Sequence, residues 1–169
     1  LYLVWSIGAK LHVNTVVEAE LARTPFPHER FLAIPTPFNT LLWRVLVMTP
    51  TGYAEGYYSL LDRTRPLEFT HYPSQPELLA GLEDAWTVRR LQWFTHGFYA
   101  VSREGDAVVM ADLRMGLEPD YFFRFQVGAV HNPHVVPVES RRLPVARRLD
   151  RLGELWDRLR GAPLTAGPA

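Results

Sequence analysis

Arg44, Asp112 and Arg114 are the side chains whose type and placement could do charge chemistry in this chain. Arg44 is the only charged residue in the run 41–48. In an extended strand Leu41, Trp43, Val45 and Val47 point one way, while Leu42, Leu46 and Met48 share the other face with Arg44. A strand apolar on both faces belongs at the centre of a sheet. Arg44 is therefore expected to be buried, and a buried guanidinium requires a carboxylate or several carbonyls. The run 107–114 offers a carboxylate. Asp112 shares a face with Val108 and Met110, and Arg114 follows two residues later on that face. The expectation is that Asp112 pairs with Arg44 or Arg114 across a sheet. Such a network occurs in structural cores and at active sites alike. No His, Ser or second carboxylate stands at fixed spacing to complete a nucleophile and base, so the structural role outweighs the catalytic one. Between them lies a third reading, in which one Arg faces a pocket and holds an anionic head group.

The six histidines carry less. His131 and His134 are three apart, a spacing metal sites use, but Pro133 breaks a helix there and no carboxylate motif frames the pair. An exposed loop is the expectation. His96 is expected at a helix end, and His12, His28 and His71 stand alone. No H-E-x-x-H, G-x-S-x-G, Walker or G-x-G-x-x-G pattern occurs. The chain has no cysteine, which excludes disulfides, thiol catalysis and thiolate-held metals. Tyr53, Tyr57, Tyr58, Trp93 and Phe94 are read as core rather than as pocket lining.

These groups need positioning elements. Residues 1–23 read as an amphipathic helix with Val4, Leu11, Val17 and Leu21 on its stripe, stopped by Pro25 and Pro27. Runs 31–34, 41–48 and 53–61 read as strands, the last two as a hairpin around Thr49-Pro50-Thr51-Gly52. Residues 62–75 read as loop. Ser74 and Glu77 resemble a capping box opening a helix over 75–92. Runs 98–103 and 107–114 form a second hairpin, and 121–128 a further strand. Residues 131–145 read as irregular, 146–160 as a closing amphipathic helix, and 161–169 as a flexible tail. The predicted architecture is α+β: one antiparallel meander sheet of about five strands packed with N-terminal, middle and C-terminal helices, in one domain over 1–160.

Composition bounds the partners. The chain has 169 residues, 47% of them hydrophobic, with eighteen basic and eighteen acidic side chains. A neutral total argues against nucleic acid as the partner. The neutrality hides an acidic body up to residue 139 and a basic segment from 140, whose expected role is a solvated helix face. Residues 1–17 are too short, and with Lys10, His12 and Asn14 too polar, to span a membrane alone. They could form the exit end of a membrane helix whose apolar part lies upstream, and the start at Leu1 rather than Met agrees with a segment cut from a longer protein.

Several local patterns occur together in order: Pro35-Thr36-Pro37-Phe38-Asn39, Leu42-Trp43-Arg44, Trp93-Phe94 before Gly97-Phe98, and Asp112-Leu113-Arg114-Met115-Gly116 with Phe125 downstream. Over residues 1–128 the chain resembles the soluble C-terminal region of the bacterial membrane-bound, metal-dependent hydrolase family. The resemblance implies a parent protein whose N-terminal membrane helices carry a His- and Asp-rich metal motif. That motif is absent here, so the resemblance implies no catalytic residue, metal ligand or cofactor in this segment. A divalent metal would belong to the parent. Asn39, Arg44, Asp112 and Arg114 become the candidate ligand-binding or structural ion-pair residues. The implied partner is the membrane part of the same polypeptide, on either side of the inner membrane, with a small amphiphilic ligand as a further possibility. Two classes of function stand: an accessory domain of a membrane hydrolase, or a non-catalytic module binding an amphiphile or a protein. An apolar pocket with Arg44 or Arg114 at its rim favours the second; arginines fully paired in a filled core favour a structural role.

Overall fold

Helix α1 spans Tyr2–Leu21. It buries Ala9, Val13, Val17 and Leu21, which recur every four residues and so share one face. The computed structural model describes residues 1–36, 40–62, 66–131 and 134–144. The chain forms two compact units, which among the described residues comprise 1–72 and 73–144.

In the first unit α1 is followed by strands β1 (Arg30–Pro35), β2 (Leu42–Thr49), β3 (Gly52–Ser59) and β4 (Phe69–Pro73), which form one sheet in that order. The strongest strand signal in the sequence is this unit's centre. Seven consecutive residues of β2, Leu42 to Met48, are buried, as a strand apolar on both faces requires. Strands β2 and β3 pair antiparallel through the two-residue connection Pro50-Thr51, with Thr49 opposite Gly52 and Arg44 opposite Tyr57. Trp43, Val45, Val47 and Ala54 pack with Val13, Val17 and Leu21 of α1 in one core. Two residues expected on the α1 stripe, Val4 and Leu11, are instead exposed. The true stripe begins at Ala9, and the turns before it are apolar all round.

In the second unit a 3-10 turn at Pro76–Leu79 precedes helix α2 (Trp86–Thr95). Then come β5 (Tyr99–Glu104), β6 (Ala107–Asp112), the short ribbon β7 (Gly116–Leu117) and β8 (Asp120–Tyr121), β9 (Arg124–His131) and β10 (His134–Arg142). The main sheet has the order β10-β9-β6-β5 and all its pairs are antiparallel. Its core is Leu79, Leu82, Val88, Val101, Val108, Met110 and Val127.

The α+β class with antiparallel sheets is therefore what the chain adopts, while the single five-stranded meander is corrected, among the described residues, to two four-stranded sheets and a ribbon. The helix expected over 75–92 is also corrected. The Ser74 hydroxyl does not cap a helix: it accepts a hydrogen bond from the Val101 N–H at 2.9 Å. Gln75 N–H donates to Val101 O at 2.8 Å and the Gln75 side chain accepts from the Arg103 N–H at 3.1 Å. Residues 74 and 75 thus cover the outer edge of β5, which an open edge strand needs. Gly81, at φ +84°, breaks any continuous helix, and α2 starts only at Trp86. Strands β4 and β10 fall in stretches read as loop. The helix expected at 146–160 and the tail 161–169 lie outside the described residues.

Candidate functional site

Strand β2 delivers Arg44 to the interior of the first unit, 3% exposed. Its Nη2 is bonded to Oε1 of Glu55 on β3, itself 5% exposed. Glu55 stands opposite Leu46, so the two charges meet on a diagonal across the strand pair. Of the two partners expected for Asp112, Arg44 and Arg114, it is Arg114 that Asp112 pairs with, and the carboxylate that reaches Arg44 is Glu55. A signal for it did exist. A two-residue connection between 49 and 52 sets the register and places residue 55 on the face of residues 44 and 46.

Asp112 ends β6 in the second unit and is buried. It pairs with Arg114 in a two-pronged contact, Nε to Oδ1 at 3.0 Å and Nη2 to Oδ2 at 2.7 Å. Oδ1 also accepts the Arg114 backbone N–H at 2.9 Å. This pair forms within one chain turn after β6, not between two strands. The Arg114 guanidinium stacks over Phe94 of α2 at 4.9 Å from the ring centroid. Hydrogen bonding to Asp112 raises the Arg114 pKa above its ordinary value, against a smaller opposing effect of burial. Both candidate arginines thus already hold a carboxylate. That arrangement suits internal ion pairs better than capture of an anionic head group, which needs an uncommitted guanidinium. Asn39 lies outside the described residues.

His131 and His134 stand opposite each other where β9 meets β10, and both are exposed. Among the described residues no group of three or more His, Cys, Asp or Glu is placed to hold a metal ion. His96 sits at the C-terminal cap of α2 with φ 52°.

The start of α1 presents apolar surface. Leu1, Tyr2, Leu3, Val4, Trp5, Ile7 and Leu11 are all exposed. Directly below them, groups with apolar bodies and polar tips are tied together. Trp5 Nε1 donates to Thr40 Oγ1 at 3.1 Å, and Trp43 Nε1 donates to the Thr40 carbonyl at 2.9 Å. Lys10 Nζ donates to the Ala33 carbonyl on β1 and lies 5.7 Å from the Trp43 ring centroid. Burial lowers the Lys10 pKa from its ordinary value. Its stem and ammonium therefore sit against apolar and aromatic surface at the point where α1 changes from apolar all round to one-sided. Among the described residues no helix is long and apolar enough to cross a membrane.

Comparisons with family models, curated proteins and solved structures return no match to this chain.

Proposed function

We propose that this chain is the C-terminal accessory domain of a bacterial membrane-bound, metal-dependent hydrolase, with the metal centre in the part of the parent outside this segment. The observation that carries the reading is the first half of α1, where apolar side chains face outward on every side. A helix hydrophobic all round belongs in a core or in lipid. Burying such side chains is worth about 1.5–3 kcal/mol each, so the exposed set leaves on the order of 10 kcal/mol of apolar burial unmade. Eleven residues rise about 16 Å, roughly half the hydrocarbon thickness of a bilayer. The apolar turns thus reach into one leaflet, or continue a preceding membrane helix as the family reading has it. Lys10 and Trp43 then sit at the level of the head groups, where indole rings and snorkelling lysines are favoured. The order of the motifs around Asn39, Arg44 and Asp112 is the second support.

Two measurements test the proposal. The 169-residue chain should float with phosphatidylcholine vesicles, and Leu3→Ser/Ile7→Ser should abolish flotation while far-ultraviolet circular dichroism is unchanged. Metal analysis with a phosphatase and esterase panel, run on the parent and on this chain, should place metal and activity in the parent alone. Turnover by the isolated chain would refute an accessory role.

A further inference from the structure

Helix α2 turns the wrong kind of face outward for a solvated helix. Its inner side is Val88, Leu91 and Thr95, packed on or buried beside the second unit's core. Its outer side is Trp86, Arg89, Arg90, Trp93 and Phe94, at spacings of three and four that form one stripe. Trp86 is 68% exposed and Trp93 70% exposed. Indoles are large, and a chain with a choice buries them. The cations are arranged around these rings. Arg90 Cζ lies 5.3 Å from the Trp86 centroid, and Arg114 covers Phe94 from the neighbouring loop. Arg89 reaches Asp84 only at 3.9 Å between two highly exposed groups, a contact that water screens.

We propose that the outward stripe of α2 is an interfacial anchor, lying on the head groups of an anionic lipid surface. The inference deepens the membrane reading above and rests on it. Its own support is the alternation of indole and guanidinium along one helical face. Indoles place a flat apolar body and an N–H at the depth of the ester and phosphate groups. The Arg89 and Arg90 guanidiniums pair with the phosphates and with anionic lipid, and stacking on Trp86 holds Arg90 at that level, while Arg114 stays with Asp112. A polyanion fits the stripe less well. An extended nucleic acid needs a run of phosphate contacts, and along the stripe only Arg89 and Arg90 could supply them. A lipid surface needs only the few cations the stripe supplies.

The test uses the whole chain and two vesicle compositions, phosphatidylcholine alone and phosphatidylcholine with phosphatidylglycerol. Wild type should bind the anionic vesicles on the order of tenfold more tightly, with the gain lost at high salt. Arg89→Gln/Arg90→Gln should remove most of that gain while leaving binding to neutral vesicles intact, and Trp86→Ser/Trp93→Ser should weaken binding to both kinds of vesicle. Both pairs are exposed, so unchanged thermal midpoints should accompany the loss. Leu3→Ser/Ile7→Ser should do the reverse of the arginine pair, weakening neutral-vesicle binding and sparing the anionic gain. An anionic gain that survives Arg89→Gln/Arg90→Gln overturns the anchor and leaves the α1 reading standing. Failure of wild type to bind either vesicle overturns both. Binding of a single-stranded oligonucleotide with no preference between vesicles overturns the lipid assignment.

Discussion

Arg44 and Glu55 join guanidinium to carboxylate on a diagonal of the β2–β3 pair, and both side chains are buried. Taking two charges out of water is costly, and their mutual attraction offsets that cost only while both are present. Arg44→Met alone should therefore destabilise the fold by about 3–5 kcal/mol, because it strands a buried carboxylate. Glu55→Leu alone should cost a similar amount. The double variant Arg44→Met/Glu55→Leu should recover most of the loss. Urea unfolding of the four proteins measures this as a double-mutant cycle. Additive single losses would mean the two residues do not act as a pair.

The Asp112 carboxylate has a different task. It ties the chain beyond β6 by accepting both the Arg114 side chain and the Arg114 backbone N–H. Asp112→Ala should cost about 3–5 kcal/mol, as expected for breaking a mostly buried pair. Arg114→Lys should also destabilise, because an ammonium can neither make the two-pronged contact nor stack flat on Phe94. Chemical denaturation reads the first effect. Amide exchange across residues 113–117 reads the local loosening expected from both.

What the sequence made legible follows from how much each residue's environment is local. The run 41–48 announces a central strand because seven of its eight side chains are apolar, and β2 is that strand. The identity of the Arg44 partner depended on register, and register follows from the connection Pro50-Thr51 rather than from Glu55 itself. Two strands were hidden by their own composition. Strand β4 follows a stretch rich in proline and charge, and Pro137 in β10 argues against a strand unless that strand lies at an edge, where β10 does lie. Ser74 and Glu77 have capping-box spacing, but the same hydroxyl serves the edge of β5, a choice decided by residues 27 positions away. The exposure of Trp86 and Trp93 could not be read from periodicity, since it becomes visible only when the opposite face of α2 is seen to be filled.

Glycine positions separate crowding from helix propensity. A Cβ on Gly56 would lie 2.8 Å from the Glu68 carbonyl and 3.0 Å from Leu67 Cδ1, both in the stretch just before β4. Gly56→Ala should therefore lower stability by about 1–3 kcal/mol through overpacking. Gly8 lies in the middle of α1 with nothing within 4 Å of its added Cβ. Gly8→Ala should raise stability by about 0.5–1 kcal/mol. Thermal midpoints of the two variants should move in opposite directions.

Lys10 is the only lysine in the chain, which makes its proton directly observable. Two contacts favour its charge, the Ala33 carbonyl and the Trp43 ring. Burial outweighs them and holds the pKa below 10.5. The unfolded chain therefore keeps this proton to higher pH than the folded one. Between the folded value and 10.5 the unfolded state binds more protons, so the Lys10 contribution to stability rises with pH across that window and is lost as pH falls through the folded value. Tyr58 acts in the opposite sense. Burial, and then the charge of Asp62, raise its pKa above 10.0, so its contribution is present below that value and falls as pH rises through the folded one. A bulk stability curve would mix the two. Reductive methylation with carbon-13 formaldehyde labels one side-chain amine, distinct from the chain terminus, and its resonance should titrate below 10.5 in the folded protein and near 10.5 in urea. On binding phosphatidylcholine vesicles the same resonance should move to still lower pH, because the α1 turns above Lys10 would then be covered by lipid and its desolvation would deepen. An unchanged titration on vesicles that demonstrably bind the protein would place Lys10 away from the bilayer boundary.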